Sequence, residues 1–133
     1  MRLYFADRLA CPACRATGEK LLFYPIEVVE EDPGVDPARV KCKVFCHYKR
    51  LPASQVPLET CRECSRKRIV TGVIVCLNCG RWYPIVESIP SMLDDEYIDL
   101  KLYKLFARKY LERIPENVRK LMKKPDPSSL LAR

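Results

Sequence analysis

The chemistry available to this sequence lies in eight cysteines, which come as four pairs: Cys11/Cys14, Cys42/Cys46, Cys61/Cys64 and Cys76/Cys79. Three pairs are Cys-x-x-Cys and one is Cys-x-x-x-Cys. In a cytosolic chain such pairing reads as metal ligation before disulfide formation. Zinc takes four soft ligands in a tetrahedron, so two pairs complete one site. A site closed by four thiolates has no open coordination position and is structural, not hydrolytic. Disulfides are the alternative, because intracellular proteins of hyperthermophiles can be rich in them.

Spacing leaves the combination of pairs open. Eleven residues separate Cys64 from Cys76, which suits a small ribbon and a sequential scheme. A nested scheme joins the outer pairs, Cys11-Pro-Ala-Cys14 and Cys76-Leu-Asn-Cys79-Gly80, both flanked by strand-like segments. Gly80 stands where a knuckle needs positive φ, so that backbone N–H groups can face sulfur. An interleaved scheme completes the set. His47, the single histidine, adjoins Cys46 and is either a substitute ligand or a surface residue.

The surrounding pattern predicts the elements that must position these residues. Lys20 to Val29 reads as a strand, with Pro25 marking a bend or an edge. Asp36 can cap a helix with Pro37 in its first position, and Val40, Val44 and Tyr48 then share one face. Cys42 and Cys46, four apart, share a neighbouring face of that helix. "PASQVPLE" breaks it and leads to Cys61/Cys64, read as another knuckle. "RKRIVTGVIVC" is apolar on both alternating faces, the pattern of a central strand running into Cys76. Glu87-Ser88 reads as a turn. From Asp94 the period becomes helical through Ile98, Leu102, Leu105, Phe106, Tyr110 and Ile114. A short helix follows over Glu116 to Lys124, and "PDPSSLLAR" reads as a loose tail.

Composition bounds the function. At 48% hydrophobic residues the chain is globular, and its longest clear apolar run, Val73 to Leu77, is far too short for a membrane span. Asp7 and Arg8 interrupt any secretory signal, so the expected location is the cytoplasm and no membrane partner is expected. Residues 39–68 carry nine basic and two acidic side chains, a net charge equal to the +7 of the whole chain. This basic lobe contains Lys41, Lys43, Lys49, Arg50, Arg66, Lys67 and Arg68 beside Phe45 and Tyr48, a mixture able to contact phosphates and bases. A solvated surface is the plainer explanation of the same charge.

The motif around the outer pairs is more specific than its cysteines. "LACPAC", an insert, and "TGVIVCLNCGRWYPIVESIPSML" resemble the small zinc-binding activator subunits shared by methyltransferases of tRNA, ribosomal RNA and release factors in archaea and eukaryotes. The resemblance covers Leu9–Cys14 and roughly Thr71–Leu93, including Gly72, Val75, Gly80, Trp82-Tyr83-Pro84-Ile85 and Ile89-Pro90. It implies one zinc on Cys11, Cys14, Cys76 and Cys79, with a segment inserted between the pairs. It also implies a Rossmann-type, S-adenosylmethionine-dependent methyltransferase as heterodimer partner, with tRNA or a release factor reached only through that partner. Strand pairing and apolar contact would form the interface.

The expected architecture is therefore α+β. A zinc-ribbon-like small antiparallel sheet spans 1–24 and 66–93, a partly helical, basic, cysteine-containing lobe fills 25–65, and a C-terminal helical extension covers 94–133. The extra cysteines Cys42, Cys46, Cys61 and Cys64 depart from the resemblance; spacing alone makes them a candidate second zinc site, with disulfides as the other outcome. Leu3, Phe5, Trp82, Ile85, Val86, Ile89, Pro90, Met92 and Leu93 supply more apolar surface than a tiny ribbon can bury. They are expected to meet the partner, unless the C-terminal helix covers them. No catalytic residue is expected: no nucleophile–base constellation is suggested, and the four glycines, Gly18, Gly34, Gly72 and Gly80, form no phosphate loop. A redox role for Cys11-Pro-Ala-Cys14 is weakened by the second knuckle that can pair with it. The competing class is an RNA-binding zinc ribbon of the translation or transcription machinery.

Overall fold

Strand β4 (Lys67–Cys76) is the centre of the molecule, as its two apolar faces require. In the computed structural model, which describes residues 1–131, it lies between β1 (Leu21–Glu30) and β5 (Trp82–Val86) in a four-stranded antiparallel sheet. A two-residue strand, β6 (Ile89–Pro90), forms the far edge, giving the order β1-β4-β5-β6. Leu21 stands opposite Cys76 and Phe23 opposite Ile74; on the other side Val75 faces Trp82 and Ile74 faces Tyr83. A Cβ on Gly72 would lie 2.7 Å from the Tyr24 carbonyl oxygen, so only glycine allows β1 this close. Glu87 and Ser88 both take positive φ, 50° and 66°, in the two-residue turn that the sequence predicts.

The sheet separates two cores. One face packs Ile74, Tyr83, Ile85, Leu21 and Phe23 with Met1, Leu3 and Ala6 of the N-terminal segment. The other packs Val73, Val75 and Trp82 against the C-terminal helices. Those are α2 (Leu100–Tyr110), α3 (Glu116–Arg119) and α4 (Pro127–Leu131). They follow α1 (Leu58–Ser65) and a short hairpin, β2 (Phe45–Cys46) with β3 (Leu51–Pro52), in the inserted lobe.

Several sequence expectations change here. The helix after Asp36 is only a single turn, Pro37–Arg39, although Asp36 does cap it by accepting from the Ala38 N–H at 3.0 Å. The chain beyond it is held instead by Asp7, whose carboxylate accepts from the N–H groups of Lys43, Val44 and Phe45 at 2.8, 3.0 and 3.1 Å. Val44, expected on one helical face with Val40 and Tyr48, stands outside any helix and is 69% exposed. Cys61 and Cys64 are not a knuckle; they occupy one turn of α1. In the C-terminal extension the α-helix begins later than Asp94: Asp99 caps α2, accepting from Lys101 and Leu102, and α3 is a four-residue turn. The tail is not loose through residue 131: Pro127 and Leu130 are buried, and the Trp82 indole N–H donates to the Pro125 carbonyl at 2.6 Å. Ala132 and Arg133, also assigned to that tail, lie outside the described residues. Strand β1 also continues to Glu30, pairing with Lys67, past the core boundary expected at residue 24.

Candidate metal centre

Two turns of the same design carry the outer cysteines. In the first, the Cys11 carbonyl accepts from the Arg15 N–H at 2.7 Å, the Cys11 N–H donates to Ala16, and Arg15 takes φ 64°. In the second, the Cys76 carbonyl accepts from the Gly80 N–H at 2.8 Å, the Cys76 N–H donates to Arg81, and Gly80 takes φ 82°. A Cβ on Gly80 would also come within 3.0 Å of the Lys123 side chain. The β1–β4 pairing and the N-terminal segment bring the two turns together, 62 residues apart in sequence at their closest sulfurs.

The four sulfurs of Cys11, Cys14, Cys76 and Cys79 all lie within 4.8 Å of one another. Cys14 and Cys76 are 3.5 Å apart, and Cys11 and Cys79 are 3.7 Å apart. A tetrahedron with metal–sulfur bonds of about 2.3 Å has sulfur separations of about 3.8 Å, so the residues present fit a zinc-sized ion. A disulfide would need about 2.05 Å, and all eight cysteines are free thiols. Burial pushes the Cys76 thiol up to about 12, while the Asn78 side chain, and then the Ala16 N–H, pull Cys14 down to about 6. The Tyr83 hydroxyl lies 3.1 Å from the Cys11 sulfur, and Arg81, beside Cys79, is held by Asp95 at 2.8 and 2.7 Å.

The model of Trm112p-like proteins matches residues 3–88, well over half of the chain, and so spans both knuckles. The chain belongs to the Trm112p-like family. Members of this family are activator subunits of methyltransferases, not catalytic subunits. No curated protein matches the chain. The inserted lobe falls inside the family match, whereas β6 and all the C-terminal helices fall outside it.

The remaining candidate residues divide by exposure. Leu3, Trp82 and Ile85 are buried in the chain's own cores, which corrects their expected role as open partner contacts. Trp82 is covered by Tyr103 and Phe106 of α2 at ring distances of 4.8 and 6.0 Å. Val86, Pro90 and Met92 are half-buried. Phe5, Ile89 and Leu93 are open, at 47%, 67% and 47% exposure. Of the basic set, Lys41, Lys43, Lys49 and Arg66 are exposed. Arg50, by contrast, donates to the Leu21 and Glu19 carbonyls, Lys67 pairs with Glu30, and Arg68 pairs with Glu31 and Ser88. His47 is not a surface residue: it is 5% exposed, between the rings of Phe23 and Phe45, and neither ring nitrogen has a hydrogen-bond partner.

Cys42, Cys46, Cys61 and Cys64 line one small cavity of about 20 Å³ in the inserted lobe. Their sulfurs are set more widely than those of the first cluster, which alone among the described residues meets the 4.8 Å spacing. Sequence reasoning missed Asp7, Asn78, Tyr83 and the Arg81–Asp95 pair as supports of these sites. Their partners come from distant chain positions, and no local spacing signals them.

No helix among the described residues is long and apolar enough to cross a membrane.

Proposed function

We propose that this chain is a noncatalytic, zinc-binding subunit that binds, stabilises and activates S-adenosylmethionine-dependent methyltransferases acting on tRNA or translation factors in the cytoplasm. The observation that carries this reading is the family match across both knuckles. In it, residues 1–24 and 66–93, together with the rest of β1 to Glu30, act as a zinc-ribbon-like core, with the remainder of 25–65 as the inserted lobe and 94–133 as the extension. Cys11, Cys14, Cys76 and Cys79 would hold the zinc, whose chemistry is a structural cross-link between the two turns.

The chain's own residues supply the rest. The first turn precedes β1, the second joins β4 to β5, and β5 presents the edge strand β6. Edge β6 carries Ile89 open on its surface with Leu93 beyond, while Pro90, without a backbone N–H, leaves this short edge only a carbonyl to offer outward. Apolar contact would therefore dominate at this end of the sheet, with strand pairing adding to it where the neighbouring chain supplies main-chain groups. A Rossmann-type methyltransferase docked there as a heterodimer buries apolar surface and gains stability by mass action. The substrate then meets the complex through the partner.

Affinity purification of the tagged chain from its source organism tests this. A methyltransferase should be recovered in stoichiometric amount, and the complex should survive high salt. Recovery of RNA without a methyltransferase, lost steeply as salt rises, supports the RNA-binding class instead.

A further inference from the structure

The inserted lobe poses a stability problem. Among residues 31–65 the only buried hydrophobics other than cysteines are Phe45, Ala53 and Val56. So small a core does not hold a lobe in one shape; small units of this kind depend on disulfides, metals or a partner. The lobe has no disulfide. It does have four cysteines, two of them buried, around one cavity.

We propose that Cys42, Cys46, Cys61 and Cys64 form a second four-thiolate metal site, for zinc or an ion of the same class, which cross-links the inserted lobe. Three features of the backbone support it. First, Cys46 opens a third turn of the knuckle design. Its carbonyl accepts from the Arg50 N–H at 2.7 Å, and Arg50 takes φ 58°. Arg15 and Gly80 do the same for Cys11 and Cys76. A non-glycine residue at positive φ is uncommon, and two of the four among the described residues, Arg15 and Arg50, close cysteine turns. The Lys49 N–H also points at the Cys46 sulfur, at 3.4 Å, as a knuckle amide does toward a thiolate. Second, Cys61 and Cys64 are three apart on α1, which places both on one face. Third, Cys42 precedes the three backbone N–H groups that Asp7 holds, so its loop is pinned to the N-terminal segment.

A hairpin knuckle and one helical turn thus present cysteines to one cavity of about 20 Å³, roughly the room of one small bound species. His47 does not line this cavity, and its ring meets Phe23 and Phe45 edge-on, so among the lining residues Lys41, Thr60 and Ser65 are polar neighbours and the four cysteines are the soft metal donors. Four sulfurs in a tetrahedron select zinc, or iron in its thiolate sites, over hard cations. An ion would draw the sulfurs closer than they now stand. This site does not depend on the activator reading, and the lobe would need it whatever the partner is.

The test uses the full chain expressed with zinc alone. Native mass and metal analysis should give two zinc ions per chain. The double variant Cys61→Ser, Cys64→Ser should give one. Alkylation mapping should show Cys42, Cys46, Cys61 and Cys64 protected until a chelator is added. Cobalt(II) alone should give the thiolate charge-transfer bands of tetrahedral four-sulfur sites at two equivalents. Should the double variant fail to fold, alkylation of the wild-type chain decides. The proposal is overturned by one zinc per chain with these four thiols freely alkylated. It is equally overturned by an intact mass lower by two or four hydrogens, or by two zinc ions persisting in a folded double variant.

Discussion

The two cysteine clusters use the same backbone turn but stand in different surroundings. Around Cys11, Cys14, Cys76 and Cys79 one turn joins β4 to β5 and the other precedes β1, and the sulfurs already approach tetrahedral spacing. Buried side chains of two cores back the sheet that carries them. Around Cys42, Cys46, Cys61 and Cys64 one knuckle turn faces a helix across a lobe with almost no core, and the sulfurs stand further apart. A rigid sheet preorganises ligands; a thin lobe needs the ion to organise it. The same residue type therefore carries different weight at the two sites.

The largest effect expected is from Cys76→Ser. It removes one of the first site's ligands at the junction of β4 and the second knuckle, so the loss should exceed about 4 kcal/mol and reach both cores. Cys61→Ser should instead release one metal while the sheet stays folded, as read by hydrogen exchange on β4 amides. Equal unfolding by both variants would erase the contrast between the clusters.

Trp82→Ala should cost about 3–5 kcal/mol by thermal or denaturant unfolding. Trp82 is 1% exposed and lies at the start of β5, against α2. Its indole ties the segment before α4, and its carbonyl accepts from the Tyr103 hydroxyl at 3.0 Å. Cobalt binding at the first site should survive, since the indole lies on the opposite face of the sheet.

Asp7→Ala should cost about 1–3 kcal/mol, because three backbone N–H groups lose their acceptor. The change should loosen the inserted lobe and weaken the second metal before the first. Acid should act in the same direction. Burial pushes the Asp7 carboxyl up, but the Lys43, Val44 and Phe45 N–H groups outweigh it and hold it below its ordinary 3.8. A carboxylate depressed in the folded state stabilises it above that ordinary value, and the contribution is lost as pH falls below it through the folded value. Protection of the 43–45 amides, measured against their intrinsic exchange rates, should therefore fall at acid pH in the wild-type chain, and Asp7→Ala should remove that pH dependence.

The smallest change in stability is expected from Ile89→Asp, within about 0.5 kcal/mol, because Ile89 is 67% exposed on β6. Both metals should remain bound, yet recovery of the methyltransferase should fall sharply, since a buried charge at an apolar contact is costly.

The sheet was legible in the sequence where its pattern is local. Strand β4 shows apolar residues on both faces because both faces are covered, and the Glu87-Ser88 turn follows from two short apolar runs around it. The lobe was misread because Val40, Val44 and Tyr48 imitate a helical stripe. Asp7, 36 residues before Lys43, decides that conformation, and no local pattern records a capping group so far away. Cys61/Cys64 looked like a knuckle by spacing alone. Pro57 followed by Leu58-Glu59 was the available sign of a helix. The apolar residues assigned to a partner were partly those of the chain's own second core: the C-terminal helices cover Trp82 and leave Ile89 and Leu93 open.

The most direct test of the activator role is methyl transfer measured with and without this chain. A candidate Rossmann-type methyltransferase from the same organism is expressed alone and together with the zinc-loaded protein, and its solubility, methyl-donor binding and turnover are compared. The account predicts a soluble one-to-one complex that binds S-adenosylmethionine and methylates its substrate, with little of either activity from the partner alone. Equal solubility and equal rates in both preparations, across the candidate methyltransferases, would contradict it.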